Sequence, residues 1–215
     1  MTSPAVRPAA KEASRTTYIV RSILLVVGAV IANIALGHFV KFNLGWPIFL
    51  DSVGTILVGA LLGPPAGAAT GVLSTLIAGL WLGDPVILPY AITAAFIGWA
   101  AGFAASRGAF QRFGTVVLSG LLVGLGAAII SAPITAYVHG GVTGGGGDYL
   151  NAYLSATGAN LLQAATIQGF LSDPVDKVIS FLLAWLLWRV LHPYFRPISQ
   201  RGTQSFDTLH GYSVA

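Results

Sequence analysis

The chain alternates long apolar stretches with short polar breaks. Stretches free of Asp, Glu, Lys and Arg run over 22–40, 52–83, 85–106, 113–147 and 149–172. One helix needs about 20 apolar residues to cross a bilayer, so the second and fourth stretches have room for a crossing and more. Proline and glycine divide them. Asn43-Leu44-Gly45-Trp46-Pro47 closes a loop and puts a proline in the first turn of a helix. Gly63-Pro64-Pro65 is a tight break, and Gly83-Asp84-Pro85 sets a capping acid before a proline that lacks an N–H. Ser172-Asp173-Pro174-Val175-Asp176 reads as another capped start, with acids in the first turn. The expected helices are therefore 18–39, 47–62, 66–82, 86–105, 115–138 and 174–191, between polar tails at 1–17 and 193–215. The membrane domain is 18–192 on this reading.

The stretch 149–169 is long enough to cross, yet it holds Asn151, Ser155, Thr157, Asn160, Gln163, Thr166 and Gln168. An unpaired amide in hydrocarbon costs several kcal/mol. The segment is expected as a helix on the outer surface or dipping into a polar cavity.

Composition and charge sharpen this picture. Only 8% of the 215 residues are charged and 55% are hydrophobic, against roughly 25% charge in a soluble domain. Six crossings with an inside N-terminus put Arg7, Lys11, Arg15, Arg21, Arg107, Arg112, Arg189, Arg196 and Arg201 inside, leaving Lys41 and Lys177 outside. That bias is what cytoplasmic loops show, and a seventh crossing through 149–169 would spoil it. The expectation is an all-α, six-transmembrane-helix bundle in a bacterial-type plasma membrane, multi-pass, with both termini cytoplasmic. The net charge of +4 follows from this topology and needs no nucleic acid. Reading the first apolar stretch as a cleaved signal peptide ending near Ala35-Leu36-Gly37 fits less well, given its length and the membrane character of the rest. Small residues recur at every fourth position over 63–83, at Gly98/Gly102, at Gly120/Gly124 and at Gly28/Ala32, the spacing that lets helices pack closely in lipid.

Motifs for chemistry are missing. The chain has no GxxxxGK[ST] phosphate loop, no HExxH and no GxSxG, and its four histidines have no metal-ligand spacing. It also has no cysteine, which removes thiolate chemistry. Neither an enzyme, nor a metal site, nor a cofactor is expected. What remains is a polar collar at the outer end: Lys41, Asn43, Trp46, Asp51, Tyr137, His139, Asn160, Gln163 and Gln168, candidates for holding a small polar molecule. Plainer readings compete. Trp46 suits an interfacial aromatic belt, Asp84, Asp173 and Asp176 suit helix caps, and Lys177 suits a side chain snorkelling to the headgroups.

Two stretches carry a resemblance. Phe49-Leu50-Asp51-Ser52-Val53-Gly54-Thr55, followed by Gly63-Pro64-Pro65-Ala66-Gly67 and Gly71-Val72-Leu73-Ser74, resembles helices two and three of the S components of energy-coupling-factor (ECF) transporters. Ser172-Asp173-Pro174-Val175-Asp176-Lys177-Val178-Ile179-Ser180 resembles their last helix. The likeness covers roughly 20–192, and similar patterns occur in the membrane sensor regions of some bacterial histidine kinases. It implies a six-helix, substrate-binding subunit that captures a small vitamin-like molecule in an outer pocket, lidded by the loop after helix one. It also implies docking on a scaffold transmembrane subunit carrying two cytoplasmic ATPases, with Gly28 and Ala32 matching the docking patch. The rival readings are a ligand-sensing membrane module and a self-sufficient secondary carrier. The carrier would want paired acids near the bilayer midplane, where Asp51 alone is expected.

Overall fold

A computed structural model describes residues 6–81 and 83–195, with side chains from residue 15. The expectations for 1–5, 82 and 196–215 lie outside these residues. The described residues form seven α-helices and no strand: α1 (Val6–Phe39), α2 (Val53–Leu62), α3 (Pro64–Trp81), α4 (Ala91–Ser106), α5 (Phe113–Pro133), α6 (Gly147–Ala156) and α7 (Leu161–Leu191). Three stretches are long and apolar enough to cross a membrane: Arg15–Leu44, Pro85–Ser106 and Phe113–Val138. Large apolar side chains point outward along them, among them Ile23, Leu24, Ile31, Ile92, Leu118, Leu122 and Ile129. Surface of this kind marks association with a membrane.

Glycine decides how the helices pack. A Cβ on Gly67 would collide with the carbonyl of Gly98, and one on Gly71 with the carbonyl of Ala94, so α3 and α4 touch backbone to backbone. Gly120 and Gly124 of α5 lie in the same way against Val178 and Pro174 of α7, and Gly54 of α2 lies against Ala29 of α1. Gly63 and Gly83 have another role, turning the chain at φ 98 and φ 72. The apolar core gathers Ile56, Leu57, Ile97, Phe110, Val116 and Phe181 from α2, α4, α5, α7 and the turn before α5.

Two ends can be distinguished. At the basal end α1 begins and α7 finishes, with the Tyr18 ring 6.5 Å from that of Phe195. Trp185 donates there from its indole Nε1 to the carbonyl of Phe110. The apical end collects the turns after α1, α3 and α5 together with α6.

Several boundaries differ from the sequence expectation. Helix α1 starts at Val6, inside the expected tail, where Ala9, Ala10 and Ala13 favour helix. Helix α2 starts at Val53 and not near Pro47; residues 45–52 are not helical. The chain enters α4 through a 3-10 turn, Pro85–Tyr90. Asp84 makes no cap bond there; its carboxylate pairs with Lys41 at 2.6 Å. The largest change is in α7, which runs unbroken through Pro174. The expected outer helix 149–169 divides instead into α6 and the first turns of α7, broken at 157–160. Asp173 and Asp176 are therefore not caps but interior helix residues, and Lys177 does not reach for headgroups: all three are buried.

Candidate functional site

Helix α2 has 10 residues, about 15 Å at the helical rise and half of a bilayer's hydrocarbon core. The non-helical stretch 45–52 precedes it, leading from the apical turn after α1 to the start of α2 in the interior of the bundle. Backbone of this kind needs partners for its N–H groups, because hydrocarbon supplies none. The partner is Asp176. Its Oδ1 accepts the N–H of Phe49 at 3.0 Å and of Leu50 at 2.7 Å. Leu50 sits at φ 51, a left-handed conformation that costs a leucine on the order of 1–3 kcal/mol. The two bonds to Asp176 hold it there.

Around Asp176 lies a charged cluster. Its second oxygen is hydrogen-bonded by the Lys177 ammonium, which is also 3.8 Å from Asp51 Oδ1. One turn nearer the apical end, Asp173 Oδ2 accepts the Ser131 hydroxyl of α5 at 3.1 Å. Asp176 lies roughly 22 Å along α7 from Leu161 at 1.5 Å per residue, close to the helix's midpoint. The Lys177 ammonium thus lies between two carboxylates, Asp176 and Asp51, with Asp173 a turn away on the same face of α7. Asp51 is the open member, with its side chain 56% exposed.

The start of α2 is fixed from α1 and α3. Asn33, 1% exposed, accepts the N–H of Gly54 at 2.7 Å. Its amide nitrogen donates to Thr55 at 2.8 Å and to Ser74 at 3.0 Å. It satisfies one of the N–H groups that a helix start leaves free, a task usually done by the N-cap residue itself. Ser52, the N-cap, makes no such bond.

Above the cluster the apical loops interlock. Lys41, on a π-helical turn that ends α1, bridges to Asp84. The backbone of Gly146 presses on Gly45 and Trp46 closely enough that no Cβ fits. Asp148 closes the glycine-rich loop by accepting the N–H and hydroxyl of Thr143 and the N–H of Gly144.

The residues singled out from sequence fall into distinct places. Asp51 lies in the cluster and Lys41 in the loop bridge, while Asn43, on the same π-helical turn as Lys41, and Trp46, on the non-helical stretch after it, are exposed. Tyr137 is exposed. His139 stacks on Tyr90 at 5.5 Å, whose hydroxyl shares a hydrogen bond with Thr135. Gln168 is buried, donates to Ser172 at 2.6 Å and packs on Gly147. Asn160 and Gln163 form the reciprocal cap at the start of α7, both exposed, and do not join the cluster. Asn160→Ala is expected to cost about 1 kcal/mol, the usual value of such a cap, and to leave ligand binding unchanged; a melting curve and a binding isotherm on the same sample check both. Gly28 is exposed with nothing near its missing side chain, and Ala32 is half-buried.

Sequence reasoning passed over Asn33. Its signal was a lone amide inside the uncharged apolar stretch 22–40, which in a membrane calls for a partner. A groove of about 540 Å³ opens at the basal end beside Phe110, Gln111, Trp188, Arg189 and His192, away from the cluster. No family model, curated protein or solved structure matches this chain.

Proposed function

We propose that the chain is the substrate-capturing membrane subunit of an ECF-type importer. It crosses the membrane six times, through α1 to α5 and α7, with the basal end in the cytoplasm. It takes up a small vitamin-like molecule from outside and docks on a scaffold subunit that carries two ATPases. The observation that carries this reading is the irregular stretch 45–52, lowered into the bundle beside a charged cluster with one open carboxylate. Broken helices that bring backbone and charge to mid-depth are how membrane proteins build solute sites. The orientation draws support from charge: Arg15, Arg21, Arg107, Arg112 and Arg189 belong to the basal end and Asp51, Asp84, Asp148, Asp173 and Asp176 to the other half. The exposed face of α1 around Gly28 supports docking there.

A second reading, the self-sufficient carrier, gains one specific observation. Asp173 and Asp176 are buried near the middle of α7 beside Lys177, where acids of coupled carriers sit. Reconstitution separates the two. The capture subunit alone in liposomes binds its molecule without accumulating it against a gradient, while a carrier accumulates it when given an ion gradient. The full chain, purified in detergent and screened against vitamins and nucleobases by native mass spectrometry, is expected to retain one of them. It is also expected to co-purify with a scaffold subunit from its native membrane. Failure of both would end the capture reading.

A further inference from the structure

The basal groove of about 540 Å³ lies where α2, α4 and α7 finish and α5 begins. Sites for small molecules span about 300–1,000 Å³. Ala60, Ala105, Phe110 and Trp188 give the groove an apolar lining, and Gln111 and Arg189 add polar donors. The Trp188 ring is held between Phe110, at 5.8 Å, and His192, at 4.4 Å. Phe110 is itself buried, and its carbonyl accepts the Trp185 indole N–H. This side of the groove is therefore fixed by packing.

The surroundings carry a surplus of positive charge. Helices α2, α4 and α7 end here with about half a negative charge each, and α5 starts with about half a positive one, leaving about one negative charge. Against it stand Arg107, Arg112 and Arg189. The carboxylates with described side chains all belong to the other half, and the ion pairs among the described residues are all made by lysines. Arg107 and Arg189 lie instead over aromatic rings, Phe103 at 4.4 Å and Trp185 at 5.1 Å. That contact uses the face of a guanidinium and not its N–H donors. Beside the groove α7 also carries an apolar strip. Leu183, Leu186 and Val190 follow the spacing of one helix face and are exposed at 38%, 54% and 67%. Leu186 stands one turn before Arg189.

We propose that the groove seats the headgroup of an anionic glycerophospholipid of the inner leaflet, with its phosphate on Arg189 and Gln111 and an acyl chain along Leu183, Leu186 and Val190. Basic pockets between helices on the cytoplasmic side hold such lipids, and a guanidinium takes phosphate oxygens in pairs. A soluble phosphate would use the same donors but not the apolar strip. The inference uses the proposed place of the basal end at the inner face of the membrane and is independent of what the charged cluster takes up.

The test uses the full chain, purified in detergent and delipidated. It is given phosphatidylglycerol, phosphatidylcholine with the same acyl chains, or glycerol 3-phosphate. Native mass spectrometry counts the bound molecules, and thermal unfolding reads the stabilisation that binding brings. Phosphatidylglycerol is expected to bind about 10-fold tighter than phosphatidylcholine and to raise the melting temperature, the effect of one charge-assisted contact. Glycerol 3-phosphate should do neither. Arg189→Gln should abolish the preference. Ala105→Met, which narrows the groove without altering charge, should weaken phosphatidylglycerol too. Arg21→Gln removes an arginine from the same end but outside the groove lining, and should leave binding unchanged. Equal binding of the two phospholipids, or a loss in Arg21→Gln as large as in Arg189→Gln, overturns the groove as a headgroup site. Glycerol 3-phosphate held as tightly as the lipid overturns the lipid assignment in favour of a soluble anion. Each of these failures leaves the vitamin screen, and with it the capture reading, untouched.

Discussion

Asp176→Ala is expected to unfold well below the parent chain, at a cost of about 3–5 kcal/mol, the range for breaking a buried ion pair from one side. The residue is completely buried, and removing it does three things. It strands the Lys177 ammonium, leaves the N–H groups of Phe49 and Leu50 unpaired, and releases Leu50 from its left-handed conformation. Thermal unfolding in detergent, followed by tryptophan fluorescence, reads the loss. Asp176→Asn keeps an oxygen for the two amides and should fall between. Adding Lys177→Met to Asp176→Ala removes the stranded charge, so the double variant should recover part of the loss, and the cycle isolates the pair. An Asp176→Ala protein as stable as the parent would mean that the stretch 45–52 is not held from α7.

The second large effect is expected at Gly98→Val. A Cβ there falls on the carbonyl of Gly67 and on the amide of Ala68, backbone that no rotamer can move aside. Overpacking costs typically 1–3 kcal/mol, and valine's branches place this substitution at the upper end. Gly28→Ala is the control. Its position has nothing within 4 Å, and alanine is the better helix former, so stability should hold or rise slightly. A melting comparison of the two separates glycines that pack helices from a glycine that faces outward.

These two positions also show what the sequence could and could not reveal. The small-residue spacing at Gly67, Gly71, Gly98 and Gly102 is local, and it announces close helix contact before any partner is known. Tight breaks at Gly63-Pro64 and Gly83-Asp84-Pro85 are local as well: α2 ends and α3 begins at the first, and α3 ends just before the second, while α4 begins only at Ala91 after a 3-10 turn. The misreadings arise where a local pattern has two solutions. Ser172-Asp173-Pro174-Val175-Asp176 serves equally as a capped helix start and as a charged turn inside a long helix. The choice lies with Phe49 and Leu50, whose N–H groups bond to Asp176 from 127 and 126 residues away, beyond any local rule. Pro47 misled in the same way: it suits the first turn of a helix, but residues 45–52 are not helical, and the N–H groups of Phe49 and Leu50 bond to Asp176 instead. Asn160 and Gln163 stand three apart, the spacing of a capping box, and the cap is what they form. As for the candidate site, Asp51 was legible because it stands at the edge of an uncharged stretch. Its neighbours on α7 were visible as residues but not as a cluster.

The most direct measurement concerns the two ends of the bundle. The chain has no cysteine, so Ser155→Cys on α6 and Ser106→Cys at the end of α4, both at exposed positions, each give a single reactive thiol. Intact cells are treated with a membrane-impermeant maleimide before and after permeabilisation. The expected result is that Ser155→Cys labels at once and Ser106→Cys only after permeabilisation, with the cluster's open end facing outward. Labelling of both from outside, or the reverse order, would contradict an outward-facing capture subunit.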